Sequence, residues 1–150
     1  MEQKLPYDND TEDSVLGGII HYPEEIDEIT PYIVSDDVFG RQKSQRLWNI
    51  IKSMKKKSKP IDLKSVCVIL NKDDINCGVT KYYVTGCTGN ACLKGTTSFY
   101  ASGLYEKYIL RRVIIKTYSL IYGFEPRDLS KKMRLILLRG PASRIAPETL

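Results

Sequence analysis

Apolar side chains recur along this chain at the three- and four-residue spacing of amphipathic helices. The first stripe predicts a helix over 11–22, capped by Asp10 or Asn9. A second helix is predicted over 41–57, and a third begins after the cap residue Asp62. The residues expected to face inward from these helices are Val15, Leu16, Ile19 and Ile20, then Leu47, Trp48, Ile50, Ile51 and Met54, and finally Leu63, Val66, Ile69 and Leu70.

The segments between these helices are shorter or less regular. Pro23 is tolerated in a first helical turn and predicts a short helix directly after the first one. Ser35–Phe39 is typical of a loop, and we expect Phe39 to enter the core. The segment 71–95 holds four of the ten glycines and predicts only a brief helix over 81–85.

A long helical hairpin is predicted in the last third of the chain. An uninterrupted helix from Ser98 to about Tyr122 would be roughly 35–40 Å long at 1.5 Å per residue. Gly123 can end it in the left-handed conformation, and a last helix over 129–138 would fold back on it.

The predicted elements indicate an all-α fold in three parts. A compact multi-helical bundle occupies 1–97, the helical hairpin occupies 98–139, and 140–150 forms a tail or linker.

Two adjacent glycines, Gly17 and Gly18, lie inside the first predicted helix. Each destabilises a helix by roughly 1 kcal/mol relative to alanine. Their presence therefore predicts that another segment packs closely against the helix backbone at this point.

The composition is that of an ordinary soluble globular protein, with 42% hydrophobic and 27% charged residues. No run approaches about 18 apolar residues and the first residues are polar, so we expect neither a membrane span nor a secretory signal, and a cytoplasmic location. The net charge of +5 permits contact with nucleic acid without requiring it. Cysteines at 67, 77, 87 and 92 lack the two-residue gap of a zinc site, which favours free thiols over metal ligands or disulfides.

No catalytic or cofactor site is evident in the sequence. The order Lys94-Gly95-Thr96 differs from that of a phosphate-binding loop, which also requires a preceding buried strand. His21 is the only histidine, and no serine or cysteine stands at a recognisable catalytic spacing from it. We therefore expect no enzyme activity, no cofactor and no metal.

Two surfaces remain as candidates for function. Large side chains surround much of the predicted hairpin, and one chain is not expected to bury all of them unless the last helix covers them completely. The residues predicted to form an oligomer interface are Tyr108, Ile109, Val113, Ile114, Tyr118, Ile121, Met133 and Ile136. The alternative is a small basic nucleic-acid-binding module that acts through Lys55–Lys59 and Arg111-Arg112.

An ordered set of segments resembles the N-terminal domain of DnaB-family replicative DNA helicases. It opens with Leu5-Pro6, Thr11–Ile20 and Pro23, and it closes with Leu104–Ile114. Between them lie, in order, Asp36-Asp37-Val38-Phe39, Gln45-Arg46-Leu47, Pro60-Ile61-Asp62-Leu63 with Ser65-Val66, and Lys81-Tyr82-Tyr83-Val84. The chain departs from the family pattern in having no histidine before Arg46 and an insertion-like segment over 86–95.

The resemblance implies a non-catalytic assembly domain. In that family the hairpins pair between subunits, three pairs form a collar on the hexameric ring, and the collar helps to receive primase. The expected partners are therefore copies of this chain, as a dimer or a trimer of dimers, with primase as a candidate and DNA contacted only weakly or indirectly. ATP hydrolysis belongs to a separate motor domain whose motifs do not occur before Leu150, so we expect a truncated or stand-alone domain from a bacterium or a phage. A decoy that regulates a helicase is a third hypothesis.

Overall fold

The computed structural model describes residues 5–123. The helix predicted over 129–138 and the tail over 140–150 lie outside the described residues.

The described part of the chain is all-α, as predicted. Residues 5–123 contain seven α-helices: α1 Asn9–His21, α2 Ile26–Ile29, α3 Gln42–Lys56, α4 Leu63–Ile69, α5 Lys72–Asn76, α6 Lys81–Gly89 and α7 Thr97–Tyr122. Short 3-10 turns over Pro23–Glu25 and Asp36–Val38 precede α2 and α3 respectively. None of these described helices is long and apolar enough to cross a membrane.

The cap of α1 is Asp8 rather than the predicted Asp10 or Asn9. The Asp8 carboxylate accepts hydrogen bonds from the backbone N–H of Thr11 at 3.0 Å and from the Thr11 hydroxyl at 2.7 Å. These bonds stabilise the ionised carboxyl and hold the pKa of Asp8 below its usual range. The helix consequently begins at Asn9, two residues earlier than predicted.

The core forms where α1 packs against α3 and α6. Its largest fully buried side chains include Trp48 and Phe39, whose ring centroids are 5.9 Å apart. The prediction that Phe39 enters the core is confirmed. The inward stripe of the third predicted helix is only partly correct, because Val66 is fully buried whereas Ile69 lies at the surface.

The expected close approach to the glycine pair is confirmed by the contact between α1 and α6. A Cβ placed on Gly17 would lie 1.9 Å from the carbonyl oxygen of Cys87, well inside van der Waals contact. A Cβ on Gly18 would lie 2.7 Å from Sγ of Cys92. Glycine at position 17 therefore lets the two backbones approach.

A partly buried polar cluster joins α1, α3 and α6 beside this contact. The Tyr83 hydroxyl donates to Oδ1 of Asp13 at 3.1 Å and lies 3.1 Å from the Ser44 hydroxyl, and Arg41 donates to the same Asp13 oxygen. Burial raises the pKa of Tyr83. Burial, followed by the neighbouring Asp13 carboxylate, raises the pKa of the Cys87 thiol to about 12. Both groups are therefore neutral at physiological pH and serve the packing of the three helices.

The segment 71–95 contains more helix than predicted. Helix α5 was not predicted from the sequence, and α6 extends to Gly89 rather than ending at 85. Asn71 and Asp74 cap α5 reciprocally, each side chain accepting a hydrogen bond from the other residue's backbone N–H. All four cysteines are free, and no group of side chains within 5–123 has the composition of a metal site.

The chain comprises two compact units. Tyr7–Tyr108 forms one unit, with α1 to α6 and the beginning of α7. Of the other unit, the structure describes residues 5–6 and 109–123. The predicted domain boundary at 97/98 coincides with the start of α7. The boundary between the two compact units instead lies inside that helix, between residues 108 and 109.

Candidate interaction surface

The start of α7 is fixed by a buried carboxylate. Glu25, which precedes α2, accepts hydrogen bonds from the backbone N–H of Gly95 and from the hydroxyl of Thr97. Both Glu25 and Thr97 are buried. A negative charge at the first residue of a helix also interacts favourably with the helix dipole. The first residues of α7 are thereby joined to the α1–α2 region.

The first three turns of α7 belong to the core of the larger unit. Ala101, Leu104 and Tyr108 follow one another at three- and four-residue spacing and are all buried. Tyr108 is only 8% exposed, and its ring centroid lies 6.2 Å from that of Tyr105. Tyr108 was predicted to be an interface residue, but its own chain already covers it.

Exposed apolar side chains cover one face of α7 beyond Tyr108. We define the α7 apolar face as Ile109, Leu110, Val113, Leu120 and Ile121. Successive helical residues are rotated by about 100°, which places all five within an arc of about 120°. Val113 is 56% exposed and Leu120 is 78% exposed. This face contains Ile109, Val113 and Ile121 from the predicted interface.

Leu110 and Leu120 on this face were not among the predicted interface residues. Both lie at helical spacing from a predicted residue, since Leu110 precedes Val113 by three positions and Leu120 follows Val113 by seven. A helical projection of the segment contains the signal that identifies them. Their exposure adds two apolar residues to the three predicted ones on this face.

The remaining predicted residues lie beside the α7 apolar face or beyond the described part of the chain. On the same projection Ile114 lies about 20° beyond Ile121, at the edge of the face, and Tyr118 lies about 40° further around the helix. Ile114 and Tyr118 are half-buried, and the Tyr118 ring stacks on Tyr122 with centroids 5.5 Å apart. Met133 and Ile136 lie outside the described residues.

The two basic segments proposed to bind nucleic acid differ in their exposure. Arg111 is buried, and its Nη1 donates to the carbonyl of Pro6 at 3.0 Å. Arg112 is exposed. In the lysine run, Lys55 donates to Asp27 at 2.9 Å, whereas the lysines that follow it are exposed. Burial of Arg111 therefore removes one of the expected phosphate contacts.

The lysine run closes the end of α3. The backbone N–H of Ser58 donates to Lys55 and that of Lys59 donates to Met54, while Ser58 has the left-handed φ of 54°. This is the usual geometry of a helix C-terminus, where positive side chains interact favourably with the dipole. The lysines thus have a structural role that does not require a ligand.

Comparisons with known proteins agree on the architecture. The family model of the DnaB-like helicase N terminal domain matches residues 4–106. Among solved structures, the crystal structure of the N-terminal domain of DnaB helicase from Mycobacterium tuberculosis is similar, with a TM-score of 0.72 and 21% sequence identity. That match covers 92% of this chain and 100% of the other, and at this identity it shows a shared fold. No curated protein matches the chain.

Proposed function

The chain belongs to the family of DnaB-like helicase N-terminal domains, and we propose that it acts without catalysis as the assembly domain of a replicative DNA helicase. It forms dimers through the helical hairpin that begins with α7, and three such dimers make the collar of a hexamer. The collar in turn offers a docking place for primase during DNA replication.

The α7 apolar face is the observation that carries this proposal. Its five apolar side chains are exposed along a single helix segment within the described structure. Exposed apolar patches of this kind usually mark a protein interface, because covering them removes apolar surface from water. A second copy of the chain presents the same face, as a two-fold symmetric contact requires.

Sedimentation velocity tests the self-association directly. We expect the wild-type chain to sediment as a dimer or a multiple of dimers at tens of micromolar. The double variant Ile109→Asp and Val113→Asp should be monomeric, because two carboxylates on the face would lose their hydration in the contact. Val34→Asp with Leu93→Asp is a matched control, since it changes two exposed apolar residues outside α7.

Two results would contradict the proposal. One is a wild-type chain that remains monomeric throughout this concentration range. The other is a control variant that dissociates as completely as the α7 variant, which would show a general effect of added charge.

Docking of primase needs a separate measurement. We expect the primase encoded with this chain to bind the immobilised wild-type oligomer more tightly than the monomeric α7 variant, because the collar brings several subunits together. Equal affinity for both forms would exclude the collar as the docking place while leaving self-association intact.

A further inference from the structure

Positive charge is concentrated at the end of α3 and in the turn that follows it. The segment 52–64 holds six lysines and one aspartate, and α3 itself contains no acidic residue. The whole segment belongs to the unit Tyr7–Tyr108. We define the lysine patch as Lys52, Lys55, Lys56, Lys57, Lys59 and Lys64.

Only part of this charge is compensated by the described chain. Nζ of Lys55 lies 2.9 Å from an Asp27 carboxylate oxygen, and Nζ of Lys52 lies 3.9 Å from one of Asp36. The exposed lysines 56, 57 and 59 make no ion pair with any residue of 5–123. With the aspartate of the segment included, three acids face six lysines, so three positive charges are in excess.

The end of α3 accounts for only a small share of this excess. A helix C-terminus is equivalent to about half a negative charge, which roughly one lysine offsets. The lysines that remain repel one another across a few ångströms of solvent. Between them Ser58, with its left-handed φ of 54°, adds an exposed hydroxyl at a position where glycine is usual. A bound anion would relieve the repulsion and accept hydrogen bonds from this group.

The surroundings of the patch are polar and lack apolar anchors. No large apolar side chain is exposed between residues 35 and 67, and the aromatic residues of this range, Phe39 and Trp48, are buried. Asn49 and Ser53 are exposed on α3 beside the lysines. Protein interfaces and membrane-bound helices use apolar anchors, and single-stranded nucleic acid is bound mainly by stacking on aromatic rings. Cations and hydrogen-bond donors without such anchors are what a phosphate backbone requires.

We infer that the lysine patch binds the phosphate backbone of double-stranded DNA without reading its sequence. The duplex carries one negative charge per about 1.7 Å of helix axis, and the three uncompensated lysines lie within about 10 Å of chain, so each can meet a phosphate. Binding then releases counterions condensed on the DNA. This inference does not rest on self-association through α7, because no residue of the patch lies in the α7 apolar face.

Fluorescence anisotropy of a labelled 20-base-pair duplex, titrated with the 150-residue chain, tests the inference. The titration is repeated between about 50 and 200 mM NaCl, where the logarithm of affinity falls linearly with that of salt by about 0.9 per phosphate neutralised. The triple variant Lys56→Gln, Lys57→Gln and Lys59→Gln should bind at least tenfold more weakly at 50 mM NaCl. Its salt slope should be smaller than that of the wild type by about 3, one for each lysine.

The matched control removes the same charge elsewhere on the same unit. Lys72→Gln, Lys81→Gln and Lys94→Gln changes three exposed lysines outside the patch. This variant should lose less than threefold in affinity and less than 1 in salt slope. Circular dichroism verifies that both variants keep their helical content. A second duplex of unrelated sequence should bind the wild type within about twofold of the first, because no base is contacted.

Three results would overturn the inference: no binding of the duplex at 100 µM chain in 50 mM NaCl, an equal loss in variant and control, or an unchanged salt slope in the variant. Competition by a 20-residue polyglutamate as effective as that by unlabelled duplex would instead assign the patch to an acidic protein segment. Equally effective competition by oligothymidylate would assign it to a single strand. None of these results bears on the sedimentation experiment, so the two proposals fail separately.

Discussion

Gly17 lies where the backbones of α1 and α6 come closest, and its lack of a side chain has a measurable consequence. An alanine Cβ would lie 1.9 Å from the carbonyl oxygen and 2.6 Å from the carbonyl carbon of Cys87. These are backbone atoms, so the two helices would have to separate. We expect Gly17→Ala to lower the free energy of unfolding by about 3 kcal/mol, as overpacking does in a dense core.

Gly86 is the matched control because it lies within α6, where an added Cβ would meet nothing within 4 Å. Gly86→Ala should raise the free energy of unfolding by about 0.5–1 kcal/mol, since alanine has the higher helix propensity. Urea denaturation of the wild type and both variants measures these changes in the free energy of unfolding. Equal stabilities for the two variants would show that the contact at Gly17 is not tight.

The buried thiol of Cys87 predicts a loss of stability at alkaline pH. Its ordinary pKa of 9.0 is raised to about 12 in the fold. The folded chain therefore keeps a proton that the unfolded chain loses between these values, and its stabilising effect, complete below pH 9, decreases as the pH rises toward 12. Burial raises the pKa of Tyr83 as well, which acts in the same direction.

Urea unfolding at pH 7.5, 9 and 10.5 measures this effect. The free energy of unfolding should be similar at the first two values and lower at the third. Cys87→Ala should show a smaller decrease between pH 9 and 10.5, whatever its stability at neutral pH. A wild-type stability that stays constant up to pH 10.5 would contradict the assignment.

At the scale of elements, α5 shows what the periodicity of apolar residues does not reveal. This short helix has no apolar stripe and is instead held by the reciprocal cap of Asn71 and Asp74 and by the ion pair with Arg46. The longer helices α1, α3 and α7 could be predicted from their apolar spacing alone. Residues that cap helices also occur in turns, so they identify a helix less specifically than apolar spacing does. The sequence of α5 therefore predicted only an irregular segment.

Asp74→Ala should therefore lower the free energy of unfolding by about 1–2 kcal/mol, because it removes one half of a capping box. It also removes the ion pair with Arg46, but this arginine is partly exposed and water can hydrate it once the carboxylate is gone. Asp73→Ala is the control, because Asp73 is adjacent and exposed. Thermal unfolding compares the two, and an equal change in both would mean that the cap and the ion pair contribute little.

The packing of α7 also explains why Tyr108, a predicted interface residue, is buried. Helical spacing predicts that a residue belongs to an apolar stripe, but it does not tell whether that stripe faces the residue's own core or a partner. Tyr108 continues the buried stripe of Ala101 and Leu104, whereas Ile109 and Val113 are exposed. Only the packing of the folded chain separates these two groups, which is why the sequence placed them together.

At the scale of the whole molecule, the family and the all-α fold could be predicted from ordered short motifs, and the assembly follows from the proposed use of the α7 apolar face. If folded chains associate through this face, association stabilises the folded state by mass action. The melting temperature of the wild type should then rise by a few degrees as its concentration increases from about 2 to 200 µM. The variant with Ile109→Asp and Val113→Asp should melt at the same temperature throughout, because its folded monomers do not associate.

The control with Val34→Asp and Leu93→Asp should keep the concentration dependence of the wild type. Differential scanning calorimetry at three concentrations measures all three chains, and a wild-type melting temperature independent of concentration would remove the physical basis for assembly through α7.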